Sequence, residues 1–309
     1  MSDAVGQRTD QATDQATSQA TDRAAGQAIR LKRIGFAFNP TNPAALDLRD
    51  RAETWCRMRE LAAWAAPSSD VDTLLAELPT TDVLVVLGGD GTFLRAARAV
   101  ADVDTPILGV NLGKVGFLSK VEANELEAVL AQIASGEYRI DERMTIRATI
   151  LPGGRNDGGE QFTALNDVVV ARGELARVCR LDVAVGTSHV ATFIADGLVV
   201  ATPTGSTGYA FSAGGPIVDP LSRNLIVTPI AAYLAAIRSI VVSPRQVVRC
   251  RVVDAYEALV SIDGREDRHL QVGDVVEVRA VDRPIRLIEP KGAQPFWDLL
   301  RHKVELLPS

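Results

Sequence analysis

Cysteine is scarce: Cys56, Cys179 and Cys250 are the only three in 309 residues, and they form no CxxC pair. That argues against a disulfide framework or a zinc knuckle and fits a reducing cytoplasm. Histidine is equally sparse, and the dispersed His189, His269 and His302 read as ordinary surface or core residues rather than metal ligands. No apolar run approaches the ~18 residues that span a bilayer. The N-terminus lacks the charged-then-apolar order of a signal peptide. The expectation is a soluble, cytoplasmic protein with no membrane association. A basic excess is also missing. The net charge of -6 argues against a general nucleic-acid role, although it leaves room for an anionic nucleotide held by local donors. Neither of the two common phosphate-loop patterns, GxxxxGKS/T and GxGxxG, occurs.

What is present is an ordinary globular composition, 47% hydrophobic and 23% charged, long enough for one or two domains. Residues 1–29 stand apart: a Thr-x-Gln-Ala period starts at Thr9 and recurs at Thr13 and Thr17, offers no useful apolar face, and predicts a disordered tail. From Leu31 the chain alternates strand and helix. A first strand runs over 31–38, a helix is expected around 43–65, an unbroken apolar strand covers 82–87, and a helix covers 92–100. A strand at 106–110 and a helix at about 123–135 follow. This order implies an open parallel α/β sheet, its apolar strands covered on both faces. After about Asp141 the pattern turns to short β segments, among them 145–151, 162–171, 181–185, 191–195, 198–201, 247–253, 258–262 and 275–280. We therefore expect an α/β nucleotide-binding domain over 30–140 and a β-rich domain over 141–293. The C-terminal helix, within 294–309, is expected to pack back on the first domain through Phe296 and Trp297.

Two clusters carry chemistry. Gly88-Gly89-Asp90-Gly91-Thr92 follows the apolar strand, where loops of parallel sheets face the ligand crevice. Its glycines let phosphate approach backbone N–H groups, and the helix starting at Thr92 favours an anion. A tight turn capped by Asp90 is the bland alternative. Arg95 and Arg98 on the next helix fit either phosphate contact or a solvated face. Further on, Thr202, Thr204, Ser206, Thr207, Tyr209 and Ser212 place six hydroxyls within eleven positions among glycines. That suits a polyhydroxylated, phosphorylated ligand, with a polar turn region as the alternative. Asn166-Asp167, inside an otherwise apolar strand, must be bonded either to local backbone or to ligand hydroxyls.

Together these residues resemble the NAD kinase family. The likeness is carried by Gly88-Gly89-Asp90-Gly91-Thr92, Asn111-Leu112-Gly113 through Gly116-Phe117-Leu118, Glu142-Arg143-Met144, Leu165-Asn166-Asp167, Asp196-Gly197, Thr202-Pro203-Thr204-Gly205-Ser206-Thr207 and Gly214-Gly215-Pro216. It spans roughly Ile34 to Lys303. The resemblance implies an N-terminal α/β domain, a C-terminal β-sandwich, and NAD held between them in a homodimer or homotetramer. The implied reaction moves the γ-phosphate of ATP, or phosphate from polyphosphate, to the 2′-hydroxyl of the adenosine ribose of NAD, giving NADP, with Mg²⁺ or another divalent metal accompanying ATP. Asp90 matches the presumed base. Gly88, Gly89, Gly91 and Thr92 are expected to hold donor phosphates, with Asn111 lining the crevice. Asn166 and Asp167 match an Asn-Glu pair on ribose hydroxyls, and Thr207 and Tyr209 border the nucleotide. Asp196, Thr204, Ser206, Ser212 and Asp263 complete the expected binding set, and no residue is assigned to the metal. The chain departs from the family at Asp167 (usually Glu), Gly208 (usually Ala) and Tyr233 (usually His). The rival readings are a lipid kinase sharing the glycine loop and an NAD-binding regulator without turnover.

Overall fold

The computed structural model describes residues 31–305 except 114–115, 156–158, 174–176 and 234–235; the tail expected at 1–29 lies outside the described residues. The first half alternates strands and helices. They are β1 (Arg33–Phe38), α1 (Pro43–Arg57), β2 (Ala62–Pro67), α2 (Val71–Glu77), β3 (Val83–Leu87), α3 (Asp90–Val100), β4 (Ile107–Asn111), β5 (Val121–Glu122) and α4 (Leu126–Ser135). Strands β2, β1, β3 and β4 lie side by side and parallel. The order reverses between β1 and β3, so the loop after β3 opens at the point where such sheets bind ligands. Helices cover both faces. Leu48, Trp55, Leu130 and Ile133 pack on Ile34, Phe36, Val83 and Val85. Leu74, Phe93, Ala97 and Val100 pack on Leu84 and Val86 from the other side. Hence every residue of β3 and β4 is buried.

The helix expected over 43–65 is shorter. Asn42 caps its start, accepting from Ala44 N at 3.0 Å. It ends at Arg57, the chain turning back through Glu60 at φ 57° with Leu61 N donating to Cys56 O. The alanine-rich Ala62–Pro67, a helix former by propensity, is instead the edge strand β2. Trp64 decides this: its ring lies where a Cβ on Gly35 would be, and its indole N–H donates to Thr81 Oγ1 at 2.8 Å. Tertiary packing overrides local propensity here.

The second half comprises β6 (Tyr138–Leu151), β7 (Glu160–Ala164), β8 (Asp167–Arg172), β9 (Cys179–Val185), β10 (Ser188–Ala195), β11 (Gly197–Ala201), a 3₁₀ turn (Thr204–Thr207), and the short α5 (Tyr209–Ser212). Then come β12 (Leu225–Ile230), β13 (Ile240–Val242), β14 (Val247–Asp254), β15 (Ala258–Ile262), β16 (Arg265–Leu270), β17 (Val275–Pro290) and α6 (Phe296–Glu305). A six-stranded antiparallel sheet in the order β13-β12-β11-β8-β15-β16 faces β6, β9, β10, β14 and β17 across one apolar core. The strand expected over 162–171 is two strands in different sheets. β7 pairs with β6, β8 pairs with β11 and β15, and the chain crosses between the sheets at Leu165-Asn166.

β17 is longer than the segment 275–280 read from sequence. An irregularity between Val281 and Ile285 bends it out of the sandwich, and Leu287 then pairs parallel to Ile107 of β4. Its distal residues Ile285, Leu287 and Ile288 are buried in the α/β cores. One eleven-stranded sheet therefore runs through both halves. Phe296 of α6 meets Phe117 with ring centroids 5.6 Å apart. No helix among the described residues is long and apolar enough to cross a membrane.

Candidate active site

The loop after β3 begins at Gly88, whose N–H donates to Val110 O at 2.9 Å, while Thr92 N donates to Gly89 O at 2.9 Å. Those two donors, expected to hold phosphate, are therefore committed to the fold. Gly88 also packs against the Thr92 side chain, so it serves close approach within the protein. Gly89 and Gly91 differ: space over both is open, and among the described residues neither N–H has a partner. Asp90 opens α3, and its carboxylate turns to the segment 116–119. Oδ2 accepts from Phe117 N at 2.9 Å, and Oδ1 accepts from Leu118 N and Ser119 N, each at 3.1 Å. A Cβ on Gly116 would strike this carboxylate, so glycine is required there. The loop is anchored below by Lys120, which donates to Glu289 at 2.8 Å in a nearly buried pair shared with Arg143.

The same device recurs across the cleft. Asp263, held at φ 49°, accepts from Leu165 N at 3.0 Å, Asn166 N at 2.7 Å and Asp167 N at 3.1 Å. It thereby fixes the crossover between the sheets and presents Asn166 and Asp167 to a cavity of about 400 Å³, bounded also by Leu94, Tyr209, Ser261 and Gly264. Two acceptors near this corner, Asn166 Oδ1 and Thr204 Oγ1, are buried without a hydrogen-bond partner. Such groups are uncommon in folded proteins and point to a missing donor. Burial, and secondly the charge of Asp263, push the Asp167 carboxyl up to about 7. Burial also raises Asp263, against the lowering effect of its three backbone donors and Arg98. A second cavity of about 170 Å³ shares Leu94, Asp263 and Gly264 with the first and adds Gly91, Arg95, Arg98 and Arg265. The two form one cleft from the start of α3 to the hydroxyl-rich turn.

Models of the ATP-NAD kinase N-terminal domain and of the ATP-NAD kinase C-terminal domain match residues 14–138 and 165–290. The chain belongs to the NAD kinase family. The first match begins within the segment read as a tail. NAD kinase of Heliobacterium modesticaldum is 40% identical over 285 residues, covering 88% of this chain and 98% of the relative. NAD kinase of Moorella thermoacetica is likewise 40% identical, covering 89% and 90%. Among solved structures, an Archaeoglobus fulgidus NAD kinase in complex with ATP has a TM-score of 0.71 at 26% identity, over 89% of this chain and all of that one. Yeast NADH kinase complexed with NADH has a TM-score of 0.80 over 91% of this chain and 89% of that one; at 22% identity it shows the shared fold.

Several residues that the family motif suggested as ligand contacts are otherwise engaged. Asn111 folds onto its own loop, donating to Gly113 O at 2.8 Å and accepting from Gly113 N at 3.1 Å. Ser206 is buried and exchanges bonds with Val218 N and O. Thr207 Oγ1 reaches Thr204 O at 3.5 Å. Asp196 sits at the opposite end of β11 from the cavity, since Gly197 pairs with Ala171 while Ala201 pairs with Asp167. There it pairs with Arg172, Nε to Oδ1 at 2.7 Å. Ser212 is exposed and lines neither cavity. Tyr233 is exposed, its N–H donating to Ile194 O. The residues of the cleft that sequence reading missed are Leu94, Val169, Ser261 and Arg265. Ser261 and Arg265 flank Asp263, whose singling-out was the available signal.

Proposed function

We propose that this cleft phosphorylates NAD to NADP, the 2′-hydroxyl of the adenosine ribose attacking the γ-phosphate of ATP while the bond to the β-phosphate breaks and ADP leaves. One observation carries the reading: Asn166, whose Oδ1 is buried without a partner, and the buried Asp167 carboxyl line the same cavity. Adjacent hydroxyls of a ribose supply donors for both. Tyr209 and Gly208 border the same space; a Cβ on Gly208 would lie 3.7 Å from Asn166 Nδ2 and 3.8 Å from Asp167 Oδ2, ordinary contact distances. Its nearest neighbour would be the Gly205 carbonyl oxygen at 3.3 Å, so the family's alanine needs a small shift of that backbone.

Asp90 receives the attacking hydroxyl. Its Oδ2 takes one backbone N–H and keeps a lone pair, whereas Oδ1 takes two. Three donors fix the orientation of this carboxylate. Phosphoryl transfer, with its loose transition state, depends chiefly on positioning and charge neutralisation. Among the described residues no three acidic, histidine or cysteine side chains converge to hold a metal ion. In this reading a divalent metal accompanies ATP as part of the substrate.

In this reading residues 30–140, with helix 294–309, handle the donor, and 141–293 hold NAD, β17 belonging to both. The homodimer or homotetramer stays part of the proposal, supported only by the exposure of large apolar residues such as Phe211 and Tyr233. So do polyphosphate as alternative donor and a cytoplasmic setting. The test is to incubate protein, NAD, Mg²⁺ and ATP and to read the product with an NADP-specific dehydrogenase. NADP that disappears on chelation is expected. Turnover of a diacylglycerol or sphingosine without turnover of NAD overturns the reading.

A further inference from the structure

The cleft separates its charges. Acceptors dominate the larger cavity, with Asn166, Asp167 and Ser261; cations dominate the smaller, with Arg95, Arg98 and Arg265 around Gly91. This cluster is basic in a chain of net charge -6. The three arginines are not equivalent. Arg98 donates to Ile262 O and faces the Asp263 carboxylate, so its charge is answered within the fold. Arg95 is held by two neutral hydroxyls, Nε donating to Ser68 Oγ at 3.0 Å and Nη2 to Thr92 Oγ1 at 3.2 Å. Arg265 extends from the start of β16 and is exposed. Among the described residues neither Arg95 nor Arg265 forms an ion pair, and the two repel: burial, then the charge of Arg265, lowers the Arg95 pKa. Fixed like charges around a concave space beside two open glycine N–H groups are the arrangement an anion would relieve.

We propose that Arg95 and Arg265 clamp the terminal phosphates of the phosphoryl donor, an oligophosphate chain carried either by a nucleoside triphosphate or by inorganic polyphosphate. The inference rests on the reading of the cleft as a phosphotransferase site. Charge density selects the donor over NAD as the occupant. A terminal phosphate carries about 1.5–2 negative charges near neutral pH, whereas each phosphate of the NAD diphosphate carries one. Two guanidiniums from opposite walls, α3 and the β15–β16 hairpin, match the more highly charged group. Closing them on it would also bring the two halves of the cleft together over the acceptor hydroxyl.

The test uses the full chain and the variants Arg95→Gln, Arg265→Gln and Arg265→Lys. Binding of inorganic tripolyphosphate is measured by calorimetry, and KM is measured for ATP, for polyphosphate and for NAD. Each glutamine variant should weaken tripolyphosphate binding and raise the donor KM by about 10- to 150-fold, the range for a charged hydrogen bond. The NAD KM should stay within about twofold, and Arg265→Lys should recover part of the loss. A rise confined to ATP or to polyphosphate identifies the source of the chain, and either supports the clamp. A rise in NAD KM with unchanged donor KM assigns the arginines to the acceptor and overturns it, as do unchanged constants throughout. Absence of NADP formation by wild-type protein refutes the enzymatic reading instead, and tripolyphosphate binding then decides the clamp by itself.

Discussion

Replacing Asp167 with asparagine should make the empty protein more stable above neutral pH and a poorer enzyme. The carboxyl titrates near 3.8 in an unfolded chain and near 7 in the folded one, because burial and Asp263 disfavour its charge. Ionising it in the fold is therefore harder by about 4 kcal/mol, from ~1.4 kcal/mol per pH unit. The sign follows from the direction. A carboxyl with a raised folded pKa contributes its full stability below about pH 4, loses it as pH rises through about 7, and changes nothing further above that. Asparagine keeps the shape and stays neutral throughout. The melting-temperature gap between Asp167→Asn and wild type should thus be small near pH 4, widen to about pH 7, and then level off. At about 2–4 °C per kcal/mol for domains of this size, the plateau is on the order of 10 °C. Adding NAD should narrow the gap, since ribose hydroxyls donate to the carboxylate and stabilise its charge. Their loss should raise the NAD KM by roughly 10- to 150-fold. The measurements are thermal melts across pH with and without NAD, together with steady-state kinetics. A gap that does not vary with pH, or a variant less stable than wild type at pH 8, would refute the reasoning.

Asp90→Asn should lower kcat by ~10²–10⁴-fold while NAD still binds; near wild-type kcat in a folded variant would remove Asp90 from the chemistry. Asp263→Asn offers one acceptor oxygen where two now serve three N–H groups, so unpaired backbone should lower stability by about 1–3 kcal/mol in denaturant titrations and raise the NAD KM as well. An unchanged midpoint would mean that the crossover at Leu165-Asn166 holds without it. Glu289→Gln removes the charge that answers the buried Lys120, while Arg143 keeps Asp141, a loss of up to about 3–5 kcal/mol. It should lower kcat through the loop that Asp90 grips; a wild-type melting temperature would show the network to be dispensable.

Much of the fold was legible because periodicity reports burial directly. The unbroken apolar run at 83–87 reads as a strand covered on both faces, as it is, with Gly88–Thr92 following at its carboxyl end. What failed did so for identifiable reasons. Ala62–Pro67 carries no period that separates strand from helix, and only Trp64 closing on Gly35 settles it. The break of 162–171 into two strands is invisible locally, since its cause, Asp263, is nearly a hundred residues away. The site was partly legible in the same sense. Gly91 and Tyr209 from the two clusters line the cleft, but residue type does not reveal which donors the fold has already used. Gly88, Thr92, Asn111 and Ser206 have the right chemistry for a ligand and are satisfied internally. Arg265 is the converse, an undistinguished exposed cation made conspicuous only by Arg95 opposite.

Asp90 and Asp263 show how one device organises both walls of the cleft. Each aspartate precedes a glycine, and each gathers three consecutive backbone N–H groups with two carboxylate oxygens. The difference between them is burial. Asp90 is half-exposed and takes a single backbone donor on Oδ2. Asp263 is buried, and the crossover it anchors places Asp167 close enough for the two charges to oppose each other. The contact that orders the Leu165–Asp167 crossover therefore also makes that corner electrostatically unfavourable when empty. Donors from a ligand relieve the opposition, so binding energy there is gained from a penalty already built into the fold. A site arranged in this way sacrifices stability of the empty state for selectivity toward a ligand rich in hydroxyl donors. An apolar occupant of the same volume would leave Asn166 and Asp167 unanswered.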